Sequence, residues 1–352
     1  MEKVVIVGGG VAGLSCLNAL IDHNVSPLLL EGANIGAPKM CGEFLAPEAV
    51  NLLKQWDIDS LHPIFQANFF VNHKKLDLAF PQPAGAIARS EVEILLAQRA
   101  RKNRGRIREY ARIKKIVPPT QTTPYLVYLE SGEEIQAETV IFATGKYGEN
   151  NGISKPLPYF GIKVHFRHVV KPQTLLMYSM KDAYFGIVPL SDETSNCTCL
   201  VKRELIEKIG SCKGFFYQLA ETNPSLQSVF EQIDIADIDW YESRAPEFQF
   251  KKNPTWPRAF WIGDALAGLY PAIGLGFSHS ISSAMMAADF YLQNNPKNYH
   301  KTAKKVIRSK LLLGKLMHQL MLNPNFSSAT FQFLQLNPWL LNQCLRRLGY
   351  RD

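Results

Sequence analysis

The sequence predicts an α/β fold: a largely parallel sheet flanked by helices, a mixed β-sheet inserted into it, and helices at the C-terminal end. Three observations lead there. Val4-Val5-Ile6-Val7 is a β-branched run suited to a buried parallel strand, and it feeds directly into Gly8-Gly9-Gly10-Val11-Ala12-Gly13, a G-x-G-x-x-G loop. Two later apolar runs of strand length, at 139–142 and 258–262, likewise stop at small residues, Ala143-Thr144-Gly145 and Gly263-Asp264. Between them, residues 156–250 alternate apolar and polar in strand fashion. A chain of 352 residues holds two domains, or one large body with an inserted subdomain.

The first thirty-one residues read as one Rossmann-like unit. Residues 14–22 form a helix, and 27–30 a second strand ending in Glu31. Gly8 permits the tight turn, Gly10 lets a pyrophosphate approach the backbone, and Gly13 lets helix and strand pack closely. Through Val11 and Ala12 the loop leads into a helix N-terminus, whose unpaired N–H groups favour phosphate. Glu31 is placed to accept from a ribose 2′-OH, which argues for FAD or NAD rather than a 2′-phosphorylated cofactor.

Residues 32–47 make a long irregular crossing that contains Lys39-Met40-Cys41-Gly42-Glu43-Phe44. A helix follows at 48–56, with Ala49, Leu52, Leu53 and Trp56 on one side. Short strands at 69–71 and 76–78 should begin the second sheet. The 91–101 helix has Ser90 as its expected N-cap, with Glu93 completing a capping box. Strands at 113–117 and 125–129 lead to the run at 139–142. In the second half, strands are expected at 159–166, 174–178, 183–188 and 197–201, with one helical interruption at 203–221. After Gly263-Asp264 come Pro271, Gly274, Leu275, Gly276 and Phe277, and then a helix of small residues at 278–288.

Composition narrows the function classes. No run of eighteen apolar residues exists, and a strand with a phosphate loop occupies the position of a signal peptide, so the chain reads as cytoplasmic. Its six cysteines form no C-x-x-C pair; Cys197 and Cys199 should share one strand face, and no metal site is expected. The net charge is +8, yet residues 290–352 hold ten Lys or Arg and one acid, Asp352. The remainder is close to neutral, which argues against nucleic acid as a partner.

Taken together, G-x-G-x-x-G with Glu31, A-T-G at 143–145 and G-D…P…G-x-G at 263–276 resemble the glutathione-reductase-type FAD fold. More narrowly, the chain resembles the branch holding aromatic hydroxylases (the group A flavoprotein monooxygenases), geranylgeranyl reductases and flavin-dependent halogenases, over its length up to about residue 295. The resemblance implies an FAD-binding domain built from 1–61, 89–155 and 255–296. It also implies a substrate domain from 62–88 and 156–254, leaving 297–352 as a basic helical region. Asp264 would bond the ribityl chain, and Pro271 to Phe277 would cover the isoalloxazine with backbone N–H groups. Asp264 can equally be an N-cap, and both roles can hold at once. Arg89 matches the family arginine that reaches the pyrophosphate; its plain alternative is a solvated charge. Lys39-Met40-Cys41-Gly42 is similar to the reductases' Cys-Gly loop beside the flavin, where Cys41 either lines the active site or is a small buried hydrophobe.

Tyr184-Phe185-Gly186-Ile187-Val188-Pro189 corresponds to Y-x-W-x-F-P of the reductases and W-x-W-x-I-P of the halogenases. Tyr184 and Pro189 are kept. Glycine replaces the tryptophan at 186, which argues against halogenation, weakens prenyl reduction and should widen the pocket. No second dinucleotide fingerprint appears, so NAD(P)H would dock transiently. His165, Arg167 and His168 are candidates for orienting a substrate phenolate or carboxylate, or plain sheet-face polar groups.

The favoured expectation is an NAD(P)H-dependent FAD monooxygenase that hydroxylates an aromatic or polyketide-like hydrophobic substrate through a flavin hydroperoxide. The alternatives are a flavin-dependent reductase of isoprenoid or other alkene bonds, and a non-catalytic FAD-binding redox sensor or membrane-docking protein. For the basic tail, Val306, Leu313, Met317 and Leu320 fall on one face of a 301–322 helix, and Lys301, Lys304, Arg308 and Lys315 on the opposite one. It either docks on the body or meets an anionic membrane or acidic carrier through its basic face.

Overall fold

The structure is a computed structural model; it describes residues 1–72, 74–146, 158–167, 171–222, 226–227, 231, 240–337, 339–340, 343 and 346. The chain begins β1 (Glu2–Val7), α1 (Val11–Asp22), β2 (Leu28–Leu30), β3 (Phe44–Leu45) and α2 (Pro47–Lys54). Next come β4 (His62–Val71), β5 (Lys74–Ala86), α3 (Arg89–Lys102), β6 (Arg106–Arg108), β7 (Ile113–Val117), β8 (Tyr125–Leu129) and β9 (Glu134–Phe142). The second half holds β10 (Tyr159–Phe166), β11 (Thr174–Met180), β12 (Ala183–Pro189), β13 (Ser195–Lys202), α4 (Arg203–Ile209), α5 (Cys212–Thr222) and β14 (Tyr241–Arg244). It closes with β15 (Ala259–Trp261), α6 (Gly276–Leu292), α7 (Pro296–Met321) and α8 (Pro324–Gln335).

The first sheet has the order β6-β2-β1-β9-β8-β7, with β15 against β9. β1 is parallel to both β2 and β9, as β15 is to β9, and β7–β8–β9 close the edge antiparallel. Val4, Val5 and Ile6 are fully buried, because β1 runs between β2 and β9 with α1 packed against it. α1 packs on α3 and α6 and is buried along most of its length. The glycine spacing has a steric cause. A Cβ on Gly13 would sit 1.8 Å from the Gly8 carbonyl oxygen, and one on Gly8, at φ +109°, would sit 2.4 Å from the Ala143 carbonyl oxygen. Only glycine lets α1 approach the ends of β1 and β9 this closely.

The second sheet runs β14-β10-β13-β12-β11-β4-β5-β3, antiparallel except where β4 meets β11. Successive side chains point to opposite faces. One face buries Ile162, Val164, Phe185 and Ile187 under Phe215, Phe216 and Leu219 of α5, and Cys197 and Cys199 lie together on it as expected. The other face carries Tyr184 and Leu200, which pack with Met321 at the end of α7 and Phe331 of α8.

Several local expectations change. The short strands at 69–71 and 76–78 are pieces of one long β4–β5 hairpin with an irregularity between Ile64 and Gln66. The helical interruption at 203–221 is two helices, divided at Gly210 with φ +94°. Ser90 is not the N-cap of α3: the helix starts at Arg89 after Ala88, and no side chain of its own caps it. The Arg89 N–H is instead taken by Glu43 Oε1 at 2.9 Å, so the cap arrives from a different loop and Glu93 is released for ion pairing.

In the tail, the docked stripe of α7 is Tyr299, Ala303, Ile307, Gly314, His318, Leu320 and Met321; of the expected face Leu320 is buried and Met317 packs on the core, whereas Val306 is 43% exposed. Small residues explain the shift: a Cβ on Gly314 would meet Ile273 and Tyr270 at 3.1 Å, so the helix sits down where side chains are smallest. Among the described residues, no helix is long and apolar enough to cross a membrane.

Candidate functional site

Three motifs far apart in sequence meet at the C-terminal ends of β1, β9 and β15. Glu31, just beyond β2, accepts from Gly9 N–H through Oε2 and from Ala33 N–H through Oε1 at 3.1 Å. Ala143 lies against Gly8 and Gly13. Gly263, at φ +57°, lies against Ala12, where a Cβ would come within 2.8 Å of the Ala12 Cβ; its N–H donates to Ser283 Oγ at 2.9 Å. His279 holds the same turn, with Nε2 at 3.0 Å from the carbonyl oxygens of both Gly263 and Ala267. Burial holds its pKa below the ordinary value, so it is a neutral donor.

Polar groups are left open here. Thr144 Oγ1 is buried with no hydrogen-bond partner, and an orphaned buried hydroxyl of this kind calls for a ligand or water. Among the described residues, no donor reaches the half-buried Asp264 carboxylate. Gly145, at φ +65°, and Gly276 both border open space.

Two cations flank the glycine loop. Arg89 lies beside Gly10, and its Nε pairs with Glu93 Oε1 at 3.0 Å. Lys39 Nζ pairs with Glu93 Oε2 at 2.8 Å. One fully buried carboxylate thus pins two partly exposed cations near the N-terminus of α1, leaving net positive charge where phosphate would lie. At the other end, Pro271 is exposed and Gly274, at φ +64°, packs on the Phe44 ring. Leu275 and Phe277 put their side chains into the core, so the outward face of 274–277 is backbone.

Tyr184 stands on β12 with its hydroxyl 3.4 Å from His318 Nδ1, a long hydrogen bond. His318 is ringed by Tyr159, Tyr184, Phe248 and Tyr270, with ring centroids 4.9, 5.7, 5.6 and 4.9 Å away. Burial in this aromatic cage, with the Lys202 charge nearby, pushes the imidazole pKa down to about 4, so it is neutral at pH 7. Its Nε2 is buried without a partner. Burial likewise holds the Tyr184 phenol well above its usual pKa, only partly offset by the Ala272 backbone.

Gly186 lies on the same face of β12 as Tyr184. It does not widen a pocket. Met177, its cross-strand partner, fills the space, with its sulfur 2.9 Å from where a Cβ would be. Gly186→Trp should therefore overpack and destabilise by about 1–3 kcal/mol. Urea denaturation measures it, and an unchanged midpoint would show that Met177 swings freely aside.

The 39–43 loop crosses the second sheet. The Cys41 carbonyl accepts from Asn196 Nδ2 at 3.2 Å, and a Cβ on Gly161 would meet the Met40 side chain at 3.1 Å. Burial raises the Cys41 thiol above its ordinary pKa, with Arg89 opposing the shift, so it stays a thiol at neutral pH. Glu43, at φ +56° with a fully buried side chain, accepts from Lys163 Nζ, from His165 Nε2 at 2.5 Å and from the Arg89 N–H. His165 is thereby committed to Glu43, Arg167 is exposed, and His168 lies outside the described residues.

Sequence reasoning missed Glu43, Lys163 and His318. A signal existed for the first two. A lone lysine inside an apolar strand and a lone acid entering an apolar one each need a buried counter-charge, and each can serve the other. His318 had no such signal, because its cage is assembled from four separate segments.

No protein-family model matches the chain, and no curated protein sequence matches it. Among solved structures it is similar to a geranylgeranyl bacteriochlorophyll reductase-like protein from Thermoplasma acidophilum, at 18% identity over 91% of this chain and 90% of that one, with a TM-score of 0.75. It is also similar to PqsL of Pseudomonas aeruginosa, termed a probable FAD-dependent monooxygenase and also solved with 2-aminobenzoylacetate, at 12% identity over 94% and 99%, TM-score 0.78. The flavin-dependent brominase Bmp2 matches at 17% identity over 99% and 93%, TM-score 0.80. The chain shares the fold of these proteins.

Proposed function

We propose that the chain is an FAD-dependent oxidoreductase, and within that class an NAD(P)H-dependent monooxygenase acting on an aromatic or polyketide-like hydrophobic substrate. The observation that carries the reading is the convergence of the glycine loop, Glu31, the orphaned Thr144 hydroxyl and the unbonded Asp264 carboxylate at the C-terminal ends of β1, β2, β9 and β15. These residues fit FAD. Glu31 would accept from the ribose while retaining its backbone bonds, since a carboxylate has about four acceptor sites. Lys39, Arg89 and the α1 N-terminus would hold the pyrophosphate, and Asp264 the ribityl hydroxyls. Backbone N–H groups around Gly276 would meet the pyrimidine edge. Bound FAD would supply the two-electron chemistry with NAD(P)H and, in the hydroxylation reading, the activation of O₂.

The chain's own contribution is orientation and exclusion of water. The half-buried rings of Tyr159, Phe248 and Tyr270, backed by the buried Tyr184 and His318, would offer an apolar, aromatic wall to a ring-bearing substrate, and the structure of PqsL with an aromatic ligand supports that choice. A second reading, hydride transfer to an isoprenoid or other alkene, has its own support. Tyr184, Pro189 and the Cys41-Gly42 loop match the reductase pattern, and a reductase-like protein shares the fold. Anaerobic reduction by NADH or NADPH followed by oxygen separates them. The monooxygenase reading expects rapid reoxidation with a transient absorbance, whereas the reductase reading expects reoxidation by an alkene. A flavin that no nicotinamide reduces would leave only a non-catalytic role.

Two substitutions test cofactor placement. Glu31→Ala and Asp264→Ala should each weaken FAD by about 1–3 kcal/mol, or roughly 5- to 150-fold in Kd, by leaving sugar hydroxyls unpaired. Flavin fluorescence titration reads this directly. Parent-like affinity in either variant removes that residue from the site.

A further inference from the structure

Helix α7 has a second face that the fold does not use. Its inner stripe is spent on the core: Tyr299, Ala303, Ile307 and Gly314 are buried, and the Tyr299 hydroxyl donates to the Trp261 carbonyl at 2.7 Å. At 100° per residue, Lys301, Lys304, Lys305, Arg308, Leu312, Lys315 and Leu316 all fall within about 120° on the opposite side. All seven are exposed, and Leu312 and Leu316 are 73% and 50% exposed. Helix α8 repeats the pattern without the cations. Phe331 faces inward, while Phe326 and Phe333 are 60% and 55% exposed, followed by Leu336 at 82% and Trp339 at 73%. No acid occurs between 290 and 351, and among the described residues only Lys310 of α7 forms an ion pair, with Glu48.

Exposed leucines and aromatic rings on a cationic helix need an occupant that is both apolar and negative. A second copy of this chain would set like charges against each other across the same face, so self-association is disfavoured. A nucleic acid would use the cations but leave Leu312, Leu316, Phe333 and Trp339 in water. Single exposed side chains on helix faces that the fold leaves unpacked suit a fluid layer better than a folded partner. We infer that the outer faces of α7 and α8 form an interfacial platform that seats the protein on an anionic lipid surface. The leucines and aromatic rings enter the acyl boundary, and Lys301, Lys304, Lys305, Arg308 and Lys315 meet the headgroups. The inference stands apart from the redox reading and needs no turnover to test.

The test uses the full chain and vesicles of phosphatidylcholine with or without phosphatidylglycerol. At low salt the protein should sediment with the anionic vesicles only, be released as salt rises, and shift its tryptophan emission to the blue, with most of that shift lost in Trp339→Phe. Because α7 is part of the core, surface substitutions replace truncation. Each cation is worth about fivefold in partitioning. Lys304→Glu/Lys305→Glu/Arg308→Glu should therefore abolish sedimentation, and Leu312→Ser/Leu316→Ser should weaken it about tenfold or more. Both should leave the thermal midpoint unchanged. Three outcomes overturn the inference: no sedimentation of the parent at low salt, binding that needs the cations but neither the leucines nor Trp339, or a concentration-dependent dimer that forms through this face instead.

Discussion

Glu43→Gln is expected to destabilise the protein by about 3–5 kcal/mol, the usual consequence of removing one partner of a buried ion pair. The amide keeps the shape and can still accept from the Arg89 N–H. It cannot neutralise Lys163, whose side chain is only 11% exposed. Burial alone would raise the Glu43 pKa, but the His165 hydrogen bond and the Lys163 charge outweigh it and hold the carboxyl below its ordinary 4.5. A depressed carboxyl stabilises the fold above pH 4.5, and that stability is lost as pH falls through the lower folded value. Urea midpoints at pH 7 measure the main effect. Adding Lys163→Met to Glu43→Gln should recover part of the loss, since no charge is then stranded. If Glu43→Gln unfolds within about 0.5 kcal/mol of the parent, the junction of loop, α3 and β10 does not depend on this carboxylate.

His318→Phe should change the acid side of the stability curve. With its pKa lowered from 6.5 to about 4, the imidazole is neutral when folded and takes a proton when unfolded. Stability from this group is therefore full above pH 6.5 and is lost progressively as pH falls to about 4, on the order of 3 kcal/mol in all. Phenylalanine fits among Tyr159, Tyr184, Phe248 and Tyr270 and does not titrate. The variant's thermal midpoint should fall less steeply between pH 6.5 and 4 than the parent's. His279 and His300 are also depressed and will keep some slope in both proteins. Parallel pH curves for the two proteins would show that the cage does not hold His318 neutral.

How much was readable in advance depends on the length scale of the cause. The β1–loop–α1–β2 unit is visible because its constraints are local. A glycine is required where backbone meets backbone, as at Gly8 and Gly13, and where the Glu31 side chain closes on Gly9, and both pairs lie within one short stretch. The strands that end at Ala143 and Gly263 were readable for a similar reason: a buried parallel strand is a continuous apolar run, and its end is marked by small residues. The alternation of β10 to β13 separated the two faces of the second sheet, and it placed Cys197 with Cys199 correctly.

The sequence by itself therefore determined the β1–loop–α1–β2 topology, the apolar strands and the composition of the basic tail. The tertiary structure alone decided which groups meet across distance. Glu43 caps a helix that begins 46 residues later and neutralises a lysine 120 residues away. Met177 fills the space that a glycine at 186 was expected to open, and α7 docks through the stripe of Ala303, Ile307 and Gly314, taking in Leu320 of the expected face but leaving Val306 outside. Caps, buried counter-charges and close helix approaches are set by the free energy of desolvated groups and by steric fit between segments. Neither quantity is written in the order of neighbouring residues; each exists only once the segments have packed.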